Sequence, residues 1–450
     1  MSLEQKLRTR TAHAAVIGMG YVGLPQAMTM AEAGFTVTGI DVDAKKVSAL
    51  QAGRSYIEDV PATQLRRMRR SGHFSASTDF AGLAAADVIT ICVPTPLSKT
   101  KDPDVSYIRT ATAAVAKHLR RGQLVILEST TYPGTTEEIV RPALEATGLR
   151  AGRDFFLAFS PERIDPGNVR FSVHNTPKIV GGLTPRCTKL AATFYGQFVE
   201  KVVPVSSPQA AEMAKLLENT FRNINIALVN ELAMMCDVLG VDVYEVIDAA
   251  ASKPFGFMPF YPGPGLGGHC IPVDPEYLAW KLKGHDFTAR FIALAGEINT
   301  HMPQVVSAKV AEALNATGKS VKGAKVLVLG VAYKRDVADT RESPALTVIS
   351  TLKGRGAKVS YHDPHVPTVT VGGTALASAR LTPAMIASQD CVVILTDHKA
   401  LDIPAIVRSA KVVVDTRNAT RGLGRFRHKI VKLGAPSALL DTLRLKGEAA

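Results

Sequence analysis

Over residues 1–205, short unbroken apolar runs alternate with stretches whose apolar positions recur at intervals of three and four. The runs Ala14–Gly18, Thr36–Asp41, Asp87–Val93, Leu124–Glu128 and Phe155–Phe159 predict strands, and Leu24–Ala33 and Tyr107–Leu119 predict amphipathic helices between them. Strands that are apolar throughout and separated by helices predict a parallel, doubly wound α/β sheet. From Ser206 the texture changes. Ser206–Leu239 contains no glycine, its one proline lies near the start, and Gly240 follows as a C-cap, so a single long helix of about 50 Å is expected. Such a rod suits a bridge between domains and the interface of a homodimer. A second long helix is predicted over Ala289–Leu314, kinked or broken at Pro303.

Near Lys325 the alternation returns, in KVLVLGVAY, a helix over Pro344–Leu352, KVSYHD, CVVILTD and KVVVDT. The first of these strands ends in Gly330-Val-Ala-Tyr and lacks a three-glycine phosphate turn, so this second domain need not hold a dinucleotide. The expected architecture is α/β: two Rossmann-like doubly wound domains, 1–205 and 319–450, joined by the long central helix and a small helical domain, 206–318. The final RLKGEAA is expected to fray.

Composition narrows the classes. A chain of 450 residues with 46% hydrophobic and 21% charged residues is a multidomain folded protein and not a disordered one. No apolar run approaches the roughly 18 residues of a spanning helix, and the N-terminus lacks the apolar core of a signal peptide. A cytoplasmic protein without a membrane partner is expected. The net charge of +13 raises the question of nucleic acid. Its densest cluster, Arg66-Arg67-Met68-Arg69-Arg70, reads better as a helix end, where cations favour the dipole, and no aromatic residues interleave it. No nucleic-acid partner is expected; a positive field suits anionic small substrates equally well. The five cysteines, Cys92, Cys187, Cys236, Cys270 and Cys391, lack CxxC spacing and suggest neither a disulfide framework nor a zinc site.

The run Ala14–Gly18 leads into Gly18-Met-Gly20-Tyr21-Val22-Gly23 and then a helix. This is GxGxxG in the context its chemistry requires. The first glycine permits the tight turn, the second lets pyrophosphate approach the backbone, and the third lets helix and strand pack closely. Asp41, at the end of the next strand, is suited to ribose hydroxyls and repels a 2′-phosphate, so NAD is favoured over NADP. Val93-Pro94-Thr95-Pro96 and Glu128-Ser129-Thr130-Thr131 follow two further strands, and in open parallel sheets ligands lie at those ends. Thr95 and Thr130 read equally as hydrogen-bonding partners of a ligand and as turn residues.

The segment Pro262–Pro275 carries four glycines and four prolines, a backbone that neither helix nor strand uses. Cys270 is therefore presented rather than packed. A thiolate attacks an aldehyde to give a thiohemiacetal, which loses hydride to become a thioester. Asp274, four residues on, is placed to orient water or a proton donor. The competing reading of Cys270 is an incidental loop thiol, and His269 reads as structural. Tyr361-His362-Asp363-Pro364-His365 reads as a strand-end turn, and no metal is expected.

With these segments in view, the sequence resembles the UDP-glucose/GDP-mannose dehydrogenases over residues 12 to about 420. The resemblance rests on GMGYVGLP (18–25), VPTP (93–96), STTYPGTT (129–136), SPER (160–163), EMAKLLENTFRNINIALVNE (212–231), GPGLGGHCIPVDP (263–275) and AYKRDVADTRESPA (332–345). Three segments, SYIEDV (55–60), FSPERIDPGN (159–168) and FYPGPGLGGHCIPVDPEYLAWK (260–281), look most like the branch acting on UDP-N-acetylhexosamines. The resemblance implies a four-electron oxidation of a sugar C6 alcohol to a uronate, a building block for polysaccharides. Cys270 would carry the thioester. Lys215 and Asn219 would stabilise oxyanions and hold the catalytic water, Asp274 and Thr130 would position that water, and Glu162 would activate it. It further implies that Lys253, Gly267 and Lys334 touch the nucleotide sugar, along with Glu162, Lys215 and Asn219. Tyr21, Val22, Val93 and Arg341 would join the glycines at the dinucleotide. Two positions depart from many UDP-glucose dehydrogenases: Val273 replaces a lysine, and Ile-Asp-Pro-Gly after SPER lacks a second glutamate, with Asp165 nearby. Both bear on which sugar is used.

Two other functions compete. A two-electron 3-hydroxyacid or 6-phosphogluconate-type dehydrogenase needs neither a loop cysteine nor a third domain. A non-catalytic NAD-binding regulator has no use for Cys270, Lys215, Asn219 and Glu162 together.

Overall fold

The computed structural model describes residues 1–57, 59–98, 100, 102–165, 168 and 170–441. It divides into two compact units: Met1–Glu218 with Glu276–Thr288, and Asn219–Pro275 with the chain from Ala289 onward.

The first unit is built on an eight-stranded sheet of β1 (His13–Ile17), β2 (Thr36–Ile40), β3 (Phe74–Ser77), β4 (Val88–Ile91), β5 (Leu124–Leu127), β6 (Phe156–Phe159), β7 (Lys178–Gly182) and β8 (Val202–Val205). The order is β3-β2-β1-β4-β5-β6-β7-β8. Each strand expected from the apolar runs forms within a residue or two of its expected ends. The helices Gly23–Glu32 and Ser106–His118 fall between them. The chain reverses strand order between β1 and β4, which opens a crevice at their carboxyl ends. Against the all-parallel expectation, β7 runs antiparallel to β6. β5 and β6 are buried at every residue, so these strands read as continuous apolar runs. Behind the sheet, Phe194 sits fully buried with its ring 5.4 Å from Phe35 and 5.1 Å from Phe198. Truncating it to alanine would cost about 3–5 kcal/mol. The arginine cluster forms the last turn of the helix Ala62–Arg70, and Arg67 pairs with Glu32.

The long helix Pro208–Leu239 begins with proline at its first position, where the missing N–H is not needed, and Ser207 Oγ accepts from the Ala210 amide. Gly240, at φ 69°, ends it. The helix Arg290–Asn315 runs unbroken through Pro303, which corrects the expectation of a break there. Met302, Pro303, Val306 and Val310 are all buried along it. Their burial offsets the one missing backbone bond. No helix among the described residues is long and apolar enough to cross a membrane.

The second sheet comprises β9 (Lys325–Leu329), β10 (Lys358–His362), β13 (Cys391–Ile394), β14 (Val413–Asp415) and β15 (Ile430–Lys432), all parallel, in the order β10-β9-β13-β14-β15. A hairpin, β11 (Thr368–Val371) and β12 (Thr374–Ala377), turns on Gly372-Gly373, both at positive φ as a tight two-residue turn requires. Asp363 follows β10 as Asp41 follows β2. Its carboxylate accepts from the amides of Val331 (2.7 Å), Ala332 (3.0 Å), His365 (2.9 Å) and Val366 (3.2 Å), and from His398 Nε2 (3.0 Å). The lone pairs that a ribose would need are already taken. Asp336, His365 and His398 cluster here. His398 Nδ1 already accepts from the Asp336 amide (2.9 Å), so this imidazole keeps no lone pair for a metal.

Candidate functional site

In the first unit the glycine-rich turn leaves β1. Gly18 has φ 96°, and a Cβ there would lie 2.4 Å from the Cys92 carbonyl oxygen. A Cβ on Gly23 would lie 1.9 Å from the carbonyl oxygen of Gly18. At Gly20 nothing stands within 4 Å of that position, so the backbone is approachable from outside. Val22 precedes the helix Gly23–Glu32 and offers no capping oxygen, leaving the helix N-terminus for an anion. Tyr21 is exposed beside it. Asp41 is buried; its carboxylate accepts from the amides of Met19 (2.8 Å) and Asp43 (2.9 Å), with Lys46 Nζ at 3.5 Å. A carboxylate offers about four acceptor sites, so capacity for a ribose remains. Open space at Gly20, forced contact at Gly18 and Gly23, and an acid at the end of β2 together fit a dinucleotide.

The loops after β4 and β5 form one wall. Thr95 Oγ1 donates to the Thr130 carbonyl (2.7 Å), and Ser129 Oγ donates to the Val93 carbonyl (2.8 Å). Tyr277 adds a hydroxyl on the Thr95 carbonyl. The start of the long helix is tied to the same region: Glu212 accepts from the amides of Gly134 (2.6 Å) and Thr136 (3.0 Å) and from the Thr136 hydroxyl (2.7 Å). One turn on, Lys215 is only 8% exposed, and no carboxylate among the described residues pairs with its ammonium.

Glu162 follows β6. One carboxylate oxygen accepts from the amides of Arg163 (2.6 Å) and Ile164 (2.7 Å), the other from Lys178 Nζ (2.9 Å). Burial alone would push this carboxyl up, but Lys178 and the two amides outweigh it and hold it below the usual carboxylate range. Lys178 also donates to Glu128 (2.8 Å), which in turn accepts from Gln26 and the Tyr195 hydroxyl. Sequence reasoning missed Lys178, Glu128 and Tyr195; the available signal was a lysine opening an apolar run, KIVGG. Asp165 accepts from Asn168 (3.3 Å), and the Pro166 and Gly167 that follow it lie outside the described residues.

In the second unit Cys270 is half-buried, and its carbonyl accepts from the amides of Val273 (3.1 Å) and Asp274 (2.8 Å). This turn leads into the helix Asp274–Lys283, whose N-terminus favours an anion. Asn219, on the long helix, donates to the Asp274 carboxylate (2.5 Å), and both side chains are buried. The same helix fixes the loop at two further points. Asn223 donates to the Ile271 carbonyl (3.0 Å), and Asn230 accepts from the Gly263 amide (2.9 Å). Asn299 braces both, accepting from Asn230 (2.9 Å) and donating to the Asn223 carbonyl (3.1 Å). Asn223, Asn230 and Asn299 were not singled out from sequence, although the first two recur with Asn219 along ENTFRNINIALVNE.

Gly267 lies against Tyr333 and the Glu342 carbonyl, where a Cβ would come within 2.6 and 2.9 Å. The Gly268 amide donates to the Arg341 carbonyl (2.9 Å), while the Arg341 guanidinium grips Asp339 (2.6 Å). Lys334 is half-buried, just beyond β9. Lys253 is exposed with its ammonium 4.8 Å from the Phe255 ring centre. Arg417, unremarked in the sequence, lies 2.5 Å from where a Cβ on Gly263 would stand.

Three family models match the chain in order. The NAD binding domain of the UDP-glucose/GDP-mannose dehydrogenase family covers residues 12–199, its central domain 209–301 and its UDP binding domain 327–422. The chain is 37% identical over 426 residues to the UDP-N-acetyl-D-mannosamine dehydrogenase of Pyrococcus horikoshii, covering 91% of this chain and 99% of that one. It is 36% identical over 417 residues to the NDP-N-acetyl-D-galactosaminuronic acid dehydrogenase of Ralstonia nicotianae, covering 90% and 95%. The solved structure of UDP-D-ManNAc dehydrogenase from Pyrococcus horikoshii superposes with a TM-score of 0.85 at 34% identity, over 94% of this chain and 99% of that one.

Proposed function

Because the chain belongs to the UDP-glucose/GDP-mannose dehydrogenase family, we propose that it oxidises the C6 alcohol of a UDP-N-acetylhexosamine to the uronate through a thioester on Cys270. The observation that carries this reading is the bracing of the Cys270 turn: Asn219 on Asp274, Asp274 on the Cys270 carbonyl, and Asn223 on Ile271. A thiol held on a rigid turn at a helix N-terminus, with buried amide and carboxyl groups beside it, suits capture of a carbonyl carbon.

NAD supplies the two hydride acceptances, one for alcohol to aldehyde and one for thiohemiacetal to thioester. The chain's residues do the rest. Cys270 sulfur bonds to the aldehyde carbon, so the aldehyde is not released. Lys215, a buried cation with no carboxylate partner among the described residues, offsets negative charge on the carbonyl oxygen. Asn219, Asp274 and Thr130 orient water, and Glu162 removes its proton as the C–S bond breaks and the thiolate leaves. Gly18, Gly20 and Gly23 receive the pyrophosphate and Asp41 the ribose, with Tyr21, Val22, Val93, Thr95 and Arg341 bounding the dinucleotide. Lys253, Gly267 and Lys334 are assigned to the nucleotide sugar. The two-electron alternative is not favoured, because a UDP binding domain has no place in it.

A cytoplasmic homodimer fits this reading. Phe221, Leu228 and Met235 on the long helix are exposed apolar residues spaced seven apart, a stripe that a second copy would cover.

The test is NADH formation with UDP-N-acetyl-D-mannosamine, UDP-N-acetyl-D-glucosamine and UDP-glucose. We expect two NADH per sugar with an N-acetylhexosamine and no uronate from Cys270→Ser, which should still fold and bind NAD. Uronate formation by Cys270→Ser at the wild-type rate would overturn the covalent route.

A further inference from the structure

Lys178 is a buried ammonium shared between two buried carboxylates, 2.9 Å from Glu162 and 2.8 Å from Glu128. Its side chain is 5% exposed, against 10% for Glu162 and 0% for Glu128. The two acids differ in how they are held. Glu128 accepts from Gln26 and from the Tyr195 hydroxyl (2.5 Å) as well as from Lys178, so it is satisfied as a carboxylate. Glu162 lies at the carboxyl end of the sheet, where the water-activating role assigned above would operate.

We propose that Glu128, by sharing the Lys178 ammonium, sets how strong a base Glu162 is, and that Lys178 and Glu128 are positioning residues for thioester hydrolysis. The proposal rests on the reading of Glu162 as the base. In that step a water O–H bond breaks and its proton goes to Glu162, while the water oxygen bonds to the acyl carbon. The C–S bond then breaks with its electron pair going to Cys270 sulfur. If Lys178 had only Glu162 as partner, taking the proton would strand a buried ammonium, which is costly, and Glu162 would resist protonation. With Glu128 present, Lys178 keeps an ion pair throughout, and the triad passes from one net negative charge to none. The remaining titratable neighbours stay neutral: burial and Glu128 push both the Cys92 thiol and the Tyr195 phenol up. Gln26 carries no charge, and Arg163 is engaged by Glu218 (2.6 Å) and the Pro177 carbonyl (2.7 Å).

The variants are Glu128→Gln, Lys178→Met, the double variant and Lys178→Arg. They are made in the full chain, checked for wild-type melting and NAD binding, and loaded with UDP-N-acetyl-D-mannosamine and NAD. Acyl-enzyme decay is followed by quenched intact mass between pH 5 and 8. Glu128→Gln should slow decay roughly 3- to 10-fold with a flat pH profile, because the whole ammonium then weakens the base. Lys178→Met should bring an acid limb into this range, since two buried acids then face each other without a cation. Adding Glu128→Gln to Lys178→Met should move that limb back down by about one pH unit, as a like charge is removed. Lys178→Arg should retain a flat profile. An unchanged decay rate in Glu128→Gln and no acid limb in Lys178→Met, while Glu162→Gln accumulates acyl-enzyme, would overturn the triad alone. No accumulation in Glu162→Gln would overturn the base assignment itself.

Discussion

Glu162 and Lys178 face each other across the antiparallel pair β6–β7, with Nζ and carboxylate oxygen 2.9 Å apart. The register pairs Ala158 with Gly182 and Phe159 with Gly181, and carrying it onward sets position 162 opposite position 178. The reversal of β7 therefore has a chemical consequence: a parallel strand would put its first residue beside the amino end of β6, at the opposite end of the sheet from Glu162. It also makes Glu162 a carboxylate that stays ionised at neutral pH, ready to accept a proton.

The first prediction follows from that pair. Glu162→Gln removes the proton acceptor but not the nucleophile, so both oxidations should proceed and hydrolysis should stall. Rapid mixing with NAD and substrate should give a burst of about two NADH per active site, then very slow turnover. Intact mass should find the sugar nucleotide on Cys270. A variant without a burst would mean that Glu162 acts earlier or only supports the fold, and an undiminished steady state would make another group the base.

Cofactor choice is predicted from Asp41. The native protein should prefer NAD over NADP in kcat/KM by a factor equivalent to about 2–3 kcal/mol. Asp41→Ala should lower NAD use and raise NADP use in relative terms, since Lys46 then faces the 2′-phosphate without its acid. Part of the NAD loss should be structural, because Asp41 also holds the Met19 amide. Equal kcat/KM for the two cofactors in the native protein would refute the assignment.

Asn219 and Asp274 should act as a unit. Removing either takes a buried hydrogen bond from the other, at a cost of about 1–3 kcal/mol. In a cycle of Asn219→Ala and Asp274→Ala, turnover should show a coupling energy of at least about 1 kcal/mol. Strict additivity would separate their roles.

Assembly is testable by light scattering. The 48.0 kDa chain should run as a dimer at micromolar concentration. Leu228→Glu, placing a charge in the exposed apolar stripe, should shift it toward monomer without loss of helix. A native monomer would contradict the assignment of that stripe.

The last prediction concerns Asp363, whose carboxyl is held at about 2. Burial would raise it, and His398 and the backbone amides around it lower it further. A depressed acid contributes stability above its unfolded value, near 4, and loses it as pH falls through the folded value. The difference between native and Asp363→Asn melting should be about 2–3 kcal/mol at pH 7 and shrink steadily between about pH 4 and pH 2. A difference independent of pH would mean that shape alone sets the effect.

The sequence by itself determined the elements and the chemistry of single residues. Apolar runs fix strands wherever both faces are buried, GxGxxG admits only glycine where a Cβ would strike the Cys92 and Gly18 carbonyls, and a Pro/Gly-rich loop cannot hide a cysteine in a helix or strand. Those constraints are local, so they can be read along the chain. What only the tertiary structure decided is pairing. The direction of β7, and with it the partner of Glu162, depends on which sheet edge the returning chain meets. The persistence of the helix through Pro303 depends on burial supplied by other elements. Asn223 and Asn230 read as ordinary helix polars until the Cys270 loop lies against them. Lys178 and Asp363 look like a strand-end lysine and a turn aspartate, because a charge's role is set by the groups that desolvate and pair it, and those come from distant parts of the chain.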